Sequence, residues 1–295
     1  MMKRREFLVG SIAAAAAAAS GVAQDVAIVS KLNRIGVMSG DFGVLLAETR
    51  DWSQPVSPGK LDIMDFPATL AHSYGIHNVE VQQFHFLSME TSYFERFHGQ
   101  LQKANSRMVD MPLELDTAAG DYSGTMSPCS PDPQIRAHAI ELTKQWIDRA
   151  AMIECPSVMI NQGRKWGDDL TPIIDALKTL RDYGESKKVA IIIEERGAGI
   201  PIETLVKVIQ ESGIHANPDM GNWKDEESME HGLRLMYPLA LTVSHAKWNP
   251  DRFSLAKAVE ISKQMGFKGT YSIESGGPEP YAQVQTMVDR LMEYL

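Results

Sequence analysis

The sequence contains very little cysteine, with only Cys129 and Cys155 among its 295 residues. Two cysteines cannot build the disulfide framework that stabilises many small secreted domains. Whether they pair in a single bridge stays open, although Cys155, near a predicted strand, is expected to act as a small buried apolar residue. The fold must therefore rest on its own hydrophobic core.

The chain also lacks a stripe of basic side chains and an apolar run long enough to cross a membrane. Its longest apolar stretch, near the N-terminus, is shorter than the roughly 20 residues that a transmembrane helix needs. The formal net charge is −9, which repels the phosphate groups of a nucleic acid. We therefore expect no nucleic acid partner and, once the N-terminal segment is removed, no membrane partner.

The N-terminal segment has the composition of an export signal. Arg4 and Arg5 precede Phe and Leu, an Ala-rich apolar run follows at residues 13–19, and small residues lead to Ala23. A basic start, a short apolar run and a small-x-Ala end are typical of a cleaved signal peptide, and the arginine pair resembles the twin-arginine type. We predict that residues 1–24 direct export to the periplasm or another extracytoplasmic space; an uncleaved membrane anchor is the alternative.

The remaining residues, 25–295, are predicted to form one domain. Hydrophobic residues make up 44% and charged residues 23% of the sequence, as in ordinary globular proteins. Short strand-like runs alternate with amphipathic helical stretches, which is typical of a parallel sheet covered by helices. The predicted strands cover residues 34–38, 78–84, 108–115, 157–161, 189–194, 214–218, 240–244 and 269–273. The predicted helices cover residues 61–74, 93–105, 133–153, 170–183, 202–212, 227–236, 255–265 and 280–294. Eight such units predict an α/β fold, a (β/α)₈ TIM barrel.

Four potential metal ligands follow four consecutive predicted strands: Glu194, Asp219, His245 and Glu274. They are separated by 25, 26 and 29 residues, each about one strand-helix unit. Because the ends of barrel strands gather at one mouth, we expect these side chains to lie close together. Carboxylates packed that closely raise each other's pKa unless a cation neutralises them. The sequence therefore predicts one divalent metal ion, and the donor types suit Mn²⁺, Co²⁺, Mg²⁺ or Zn²⁺ equally.

These four residues and three shorter motifs make the chain similar to the xylose isomerase-like barrel superfamily, and within it to the sugar phosphate isomerases and epimerases. The motifs are Leu-Asp-Ile-Met-Asp-Phe-Pro at residues 61–67, Asn-Val-Glu-Val at 78–81 and Gly-Phe-Lys-Gly-Thr-Tyr-Ser-Ile-Glu at 266–274. The pattern is specific to the superfamily and much less specific to any substrate, because the scaffold hosts several activities.

The sequence departs from better-known members of the superfamily at two places, and these departures narrow the range of expected activities. The residues after His245 lack the Asp-x-Asp motif that holds the second metal of xylose isomerases, which implies a one-metal site. Asn222 stands where the endonuclease IV type and most ketose epimerases of the family carry a histidine. DNA repair is therefore not expected.

The resemblance implies an isomerase or epimerase that acts on a sugar or keto-sugar. The metal would bind the carbonyl and an adjacent hydroxyl oxygen and stabilise the enediolate formed by proton removal. Glu194 and Glu274 would be the catalytic residues, acting as base and acid on opposite faces. Export favours a free sugar over a sugar phosphate. The alternatives are a metal-assisted lyase or hydrolase of a keto-glycoside and a non-catalytic sugar-binding barrel. Related barrels often pair, so a homodimer is also an expectation.

Further residues near the predicted strand ends are candidates for substrate binding. The arginine and lysine side chains would bind substrate oxygens, and an aromatic face suits the apolar side of a sugar. Two residues beside Glu194 would orient either that ligand or the substrate. The full set comprises Glu80, His85, Asn161, Arg164, Glu195, Arg196, Asn222, Lys247 and Trp248.

Overall fold

The computed structural model describes residues 28–49, 59–116, 125–163, 165–196, 199–247 and 252–295. The predicted signal at residues 1–24 lies outside the described residues, as do Arg164 and Trp248. Within the described part, every helix is too short or too polar to cross a bilayer.

Eight parallel strands form one sheet that curves into a nearly closed barrel. Each strand pairs with the next one along the chain, apart from the junction of β6 and β7, and β8 returns to pair with β1. The predicted barrel is thereby confirmed. The strands are β1 (Ile35–Met38), β2 (Asn78–Glu80), β3 (Arg107–Pro112), β4 (Ser157–Ile160), β5 (Ala190–Glu194), β6 (His215–Asn217), β7 (Val243–Ala246) and β8 (Thr270–Ile273).

A helix follows each strand, as the alternating pattern predicts. Gly75 and Gly213 end the first and fifth of these helices with φ of 67° and 74°, a left-handed conformation that glycine adopts without strain. Gly266 has the same conformation after the seventh, with φ of 78°. The helices are α1 (Phe66–Tyr74), α2 (Thr91–Lys103), α3 (Pro133–Met152), α4 (Thr171–Lys187), α5 (Ile202–Ser212), α6 (Glu226–Met236), α7 (Leu255–Gln264) and α8 (Pro280–Tyr294).

The core has two parts, because side chains of a barrel strand alternate between the interior and the helical layer. Ile191 and Ile193 of β5 join the large cluster between strands and helices, whereas Ile192 packs with Met159 and Val243 in a separate cluster. Burying one side chain of this size contributes about 1.5–3 kcal/mol. The apolar layers thus hold the strand ends in place around the mouth.

Three strands have boundaries that differ from the sequence prediction by more than one residue. β2 ends at Glu80 instead of continuing to residue 84, and the backbone N–H of Gln82 donates to the Ser39 hydroxyl. β3 ends at Pro112, two residues before Glu114. A 3₁₀ turn at Tyr237–Leu239 delays β7, so His245 lies inside the strand and not after its end.

Both cysteines are free and buried. Burial raises the pKa of Cys129 to about 12 and that of Cys155 well above its usual value. The thiol of Cys155 donates to the carbonyl of Ser157 at 3.1 Å. Cys155 is the small buried residue that its position near a strand predicts.

Candidate metal centre

Four side chains from four neighbouring strands converge at the carboxyl-terminal mouth of the barrel. One oxygen or nitrogen of each of Glu194, Asp219, His245 and Glu274 lies within 4.8 Å of the others. The first three residues are buried, and the side chain of Glu274 is 31% exposed. The structure therefore brings together the four residues that the sequence singles out.

Hydrogen bonds of the main chain fix the segments that carry these ligands. The N–H of Met220 donates to the carbonyl of His245 at 2.9 Å, and the N–H of Glu274 donates to the carbonyl of Ala246 at 3.2 Å. The N–H of His245 donates to Asn217 Oδ1 at 3.1 Å. The bonds of Met220 and Asn217 with His245 supply part of the pairing that β6 and β7 otherwise lack, and the bond of Glu274 extends the pairing of β7 with β8.

His245 lies between carboxylates on both sides of its imidazole ring. Nδ1 is 2.5 Å from Glu194 Oε1 and 3.3 Å from Glu274 Oε2, while Nε2 is 2.7 Å from Glu80 Oε1. Burial lowers the pKa of His245, but the carboxylates of Glu80 and Glu194 outweigh it and raise that pKa well above its usual value. Glu80 thus fixes the ring orientation and directs Nδ1 toward the other carboxylates.

Glu80 therefore lies beneath the imidazole and not on the substrate side where the sequence analysis places it. β2 is so short that its last side chain is fully buried within the barrel. Asp110 of β3 is a second buried acid nearby, and the Ser157 hydroxyl donates to it at 2.5 Å. Burial and then the Glu80 carboxylate raise the pKa of Asp110 well above its usual value. Asp110 was not among the predicted site residues.

Lys247 joins two of the candidate ligands. Its Nζ is 2.9 Å from Glu274 Oε1 and 3.2 Å from Asp219 Oδ2. It also donates to Asn222 Oδ1 at 3.0 Å, and the Asn222 amide donates to the carbonyl of Glu195 at 2.9 Å. Burial lowers the pKa of Lys247, but Asp219 and Glu274 raise it well above its usual value, so the ammonium is charged at neutral pH.

Arg196 binds the carboxylate oxygen of Glu194 that does not contact His245. Its Nε donates to Glu194 Oε2 at 2.8 Å, and its Nη2 lies 2.6 Å from Glu114 Oε1. Asn161 donates to the other oxygen of Glu114 at 3.0 Å. Burial raises the pKa of Glu194, but His245 and Arg196 lower it well below its usual range. Glu114 is a component that the sequence analysis missed, because it lies beyond the end of β3.

The remaining predicted residues have more distant places. His85 is buried, with Nδ1 2.7 Å from the Ser39 hydroxyl and Nε2 3.6 Å from Glu48 Oε1. Glu195 is buried as well, and its main-chain carbonyl accepts a hydrogen bond from the Asn222 amide. Both therefore contribute to the walls around the centre through their neighbours.

The donor set fits a divalent ion. Oxygen and nitrogen ligands stand roughly 2.0–2.2 Å from such an ion, so two donors of one ion are at most about 4.4 Å apart. The observed spread of up to 4.8 Å needs only small side-chain movements. Asp219 Oδ2 is buried and has no well-aligned hydrogen bond among the described residues, although the Lys247 ammonium lies 3.2 Å away. Burial raises the pKa of Asp219 well above its usual value; Lys247 offsets part of this rise, and Glu274 and Glu194 add to it. A bound cation would stabilise the ionised form of Asp219 and lower its pKa again.

A cavity of about 310 Å³ opens beside Glu274 and Lys247. Its other walls come from the segments that follow β1, β2 and β8, including Asp41 and Gln82. A larger cavity of about 480 Å³ lies at the opposite end of the barrel, around Arg107 at the start of β3. The smaller cavity is the one that a substrate of the candidate centre would enter.

Fold and site together define a class of protein, the α/β barrels with carboxylate and imidazole groups at the carboxyl-terminal mouth. Residues 68–291 match the xylose isomerase-like TIM barrel family, and the chain belongs to this family. Curated protein sequences give no significant match.

Several solved structures share the fold. The chain is similar to a xylose isomerase domain protein from Planctomyces limnophilus, with 13% identity over 88% of this chain and 96% of that chain and a TM-score of 0.65. It is similar to D-psicose 3-epimerase from Clostridium cellulolyticum, with 13% identity over 88% and 96% and a TM-score of 0.62. A xylose isomerase-like protein from Mycobacterium smegmatis in complex with magnesium gives 14% identity over 89% and 97% and a TM-score of 0.60.

Proposed function

We propose that this protein is a divalent-metal-dependent isomerase or epimerase that acts on a free sugar or keto-sugar outside the cytoplasm. The observation that carries the proposal is the convergence of Glu194, Asp219, His245 and Glu274 within 4.8 Å. The family supports it, because structural neighbours include a D-psicose 3-epimerase. Residues 1–24 support the location, and export makes free sugars the expected substrates.

The four convergent residues would hold the ion, which could be Mn²⁺, Co²⁺, Mg²⁺ or Zn²⁺. When bound, the ion would act as a Lewis acid that makes a proton next to a carbonyl easier to remove. Glu80 supports this role by fixing the His245 ring at 2.7 Å. A residue that hydrogen-bonds to a metal ligand in this way orients the ligand and raises its basicity.

Glu194 and Glu274 are suited to move the proton. The pKa of each is lowered from its usual value: burial raises it in both cases, and the contact with His245 outweighs that effect. Both groups are therefore ionised at neutral pH. They come from different strands, which suits an epimerisation in which one carboxylate removes a proton and another group returns it on the opposite face.

Glu274 is the better placed of the two to meet a substrate. Its side chain is 31% exposed and lines the cavity, whereas that of Glu194 is 4% exposed and is held by Arg196. Lys247 lines the same cavity and can donate hydrogen bonds to a substrate oxygen. The homodimer implied by the resemblance remains a prediction.

Elemental analysis tests the metal requirement. We expect about one divalent ion per chain in the purified mature protein, and loss of that ion in Glu194→Gln and His245→Ala. Absence of metal in every preparation, together with no thermal stabilisation by Mn²⁺, Co²⁺ or Zn²⁺, would contradict the proposal and favour the sugar-binding alternative.

Incubation of free ketoses in D₂O tests the reaction. An isomerase or epimerase that works by proton removal incorporates deuterium at the carbon next to the carbonyl and forms a second sugar, which NMR detects. A lyase or hydrolase acting on a keto-glycoside would instead release the group attached to the sugar. A binding barrel would give neither result.

A further inference from the structure

Asp41 is a buried acid whose hydrogen-bonding capacity is only half used. It lies in the 3₁₀ turn after β1 and is 2% exposed. Its Oδ1 accepts hydrogen bonds from the N–H groups of Ser275 at 2.6 Å and Gly276 at 3.0 Å. Its Oδ2 is buried and has no hydrogen-bond partner among the described residues. A buried carboxylate oxygen without a donor is costly, so this atom points to a ligand that supplies one.

Asp41 lines the cavity of about 310 Å³ that also contains Glu274 and Lys247. A ligand that reaches the candidate metal centre would therefore extend directly past Asp41. Gln82 and Glu48 complete the polar part of this wall, and the Glu48 side chain is 27% exposed. The volume of the cavity lies at the lower end of the range for small-molecule sites, and the cavity belongs to the site of the proposed function, not to a separate one.

The charges around the cavity are mostly negative. Among the described residues that line it, Asp41, Glu48 and Glu274 are acidic and Lys247 is basic. The ammonium of Lys247 already contacts Glu274 at 2.9 Å and Asp219 at 3.2 Å. A phosphate ester entering this space would meet unbalanced negative charge, whereas a hydroxyl group would donate to the carboxylates without any charge conflict.

We propose that this cavity is a subsite for the unphosphorylated, hydroxyl-bearing end of the sugar, in which Asp41 and Glu48 accept hydrogen bonds from substrate hydroxyls and exclude a phosphate ester. The inference rests on the proposed function, since it takes a sugar as the ligand of the neighbouring centre. It assigns Asp41 and Glu48 to substrate selection, a role separate from proton transfer and from holding the ion.

Binding of matched sugar pairs tests the subsite. The probes are D-fructose, D-tagatose and D-psicose, each as the free ketose and as its 6-phosphate, titrated calorimetrically into Mn²⁺-loaded protein purified from full-length expression. We expect at least one free ketose to bind about 100-fold more tightly than its ester, because like charges repel across the cavity. An ester that binds as tightly as the free sugar, or more tightly, would overturn the inference.

Asp41→Asn connects the selectivity to this residue. The substitution preserves the side-chain shape. Measured at about pH 8, above the pKa of about 7 to which burial raises Asp41, binding of the free ketose should weaken about tenfold through loss of a charge-assisted hydrogen bond, while Mn²⁺ affinity stays unchanged. Glu48→Gln, on a different segment, should also narrow the gap between ketose and ester. Asp175→Asn, an exposed acid on α4, removes the same charge far from the cavity and should change nothing. Unchanged ketose affinity in both Asp41→Asn and Glu48→Gln would overturn the assignment.

The outcomes separate the subsite from the proposed function. Ketose binding that depends on Asp41 without deuterium exchange in D₂O would support the subsite and contradict the enzymatic proposal. Deuterium exchange with a preference for the ester would do the reverse. Failure of all probes to bind in either form would contradict both.

Discussion

The junction of β4 with β5 and the junction of β6 with β7 differ in how the backbones pair. The first is a continuous parallel ladder from Ser157 and Ala190 to Ile160 and Ile193. The second has only isolated bridges, one of which joins Asp219 to His245. Along the continuous ladder the paired residues are apolar apart from Ser157, and Glu194 follows the last pair, whereas the open junction carries Asp219 and His245. The comparison indicates that this barrel separates the region that stabilises it from the region that holds the site.

The largest expected effect is a loss of stability at the continuous junction of β4 with β5. Ile193→Ala removes a fully buried side chain from β5 and should lower the free energy of unfolding by about 2–5 kcal/mol, because it leaves a cavity in the core. Urea denaturation measures this loss. Calorimetric titration with Mn²⁺ under native conditions should show unchanged affinity, and a parallel loss of metal affinity would contradict the separation.

Substitutions of Glu80 test the region that holds the candidate metal centre. Glu80→Ala should weaken metal binding about 100-fold and Glu80→Gln about tenfold, because the first removes both the hydrogen bond and the charge next to His245, and the second removes only the charge. Metal titration monitored by calorimetry measures both. Glu95→Gln, an exposed acid on α2, is the matched control. Equal effects of Gln and Ala would show that packing, and not the charge on the imidazole partner, is what Glu80 contributes.

Gly232→Ala, a substitution on α6, should disturb the junction of β6 with β7. A methyl group at Gly232 of α6 would come within 1.9 Å of the Trp223 ring, and the Trp223 indole donates to the carbonyl of Asp219 at 2.7 Å. We expect a loss of about 1–3 kcal/mol in unfolding free energy from overpacking, together with weaker metal binding. Gly99→Ala, where a methyl group meets nothing within 4 Å, should not destabilise the protein. Unchanged metal affinity in Gly232→Ala would contradict a role of Trp223 in positioning Asp219.

The last prediction concerns the pH dependence of stability at the junction of β1 and β8. Burial raises the pKa of Asp41 to about 7, above its value of about 3.9 in an unfolded chain. A raised folded-state pKa gives stability that is present below about pH 4 and is lost as the pH rises toward 7. Asp41→Asn should flatten the stability of the metal-free protein across this range. Urea unfolding at several pH values measures it, and parallel profiles for wild type and variant would contradict the prediction.

The alternating pattern of the sequence predicted the eight strands, the eight helices and their order. It succeeded because each unit repeats at a regular length and because glycines such as Gly75 and Gly213 mark helix ends. The same regular spacing predicted that the four candidate ligands meet at one mouth. Spacing alone carries this information, because the barrel converts one unit of sequence into one step around its axis.

The surroundings of the site were less predictable. Glu80 sits on a strand buried on both faces, so no alternation of polar and apolar residues indicates which way its side chain points. Asp41 and Glu114 lie in turns beyond strand ends, where no periodic signal exists. Their roles come from contacts with residues far away in sequence, such as Ser275 and Arg196.

The main-chain bonds from Met220 to His245 and from Glu274 to Ala246 join backbone groups only, so they do not use the side chains that would bind the ion. We therefore expect the barrel to complete its fold first and to acquire its metal afterwards, unlike small domains that fold only around their ion. For a protein that leaves the cytoplasm already folded, as residues 1–24 predict, metal loading and export become separate events. The pool of metals in the compartment where folding ends would then determine which ion the protein carries outside.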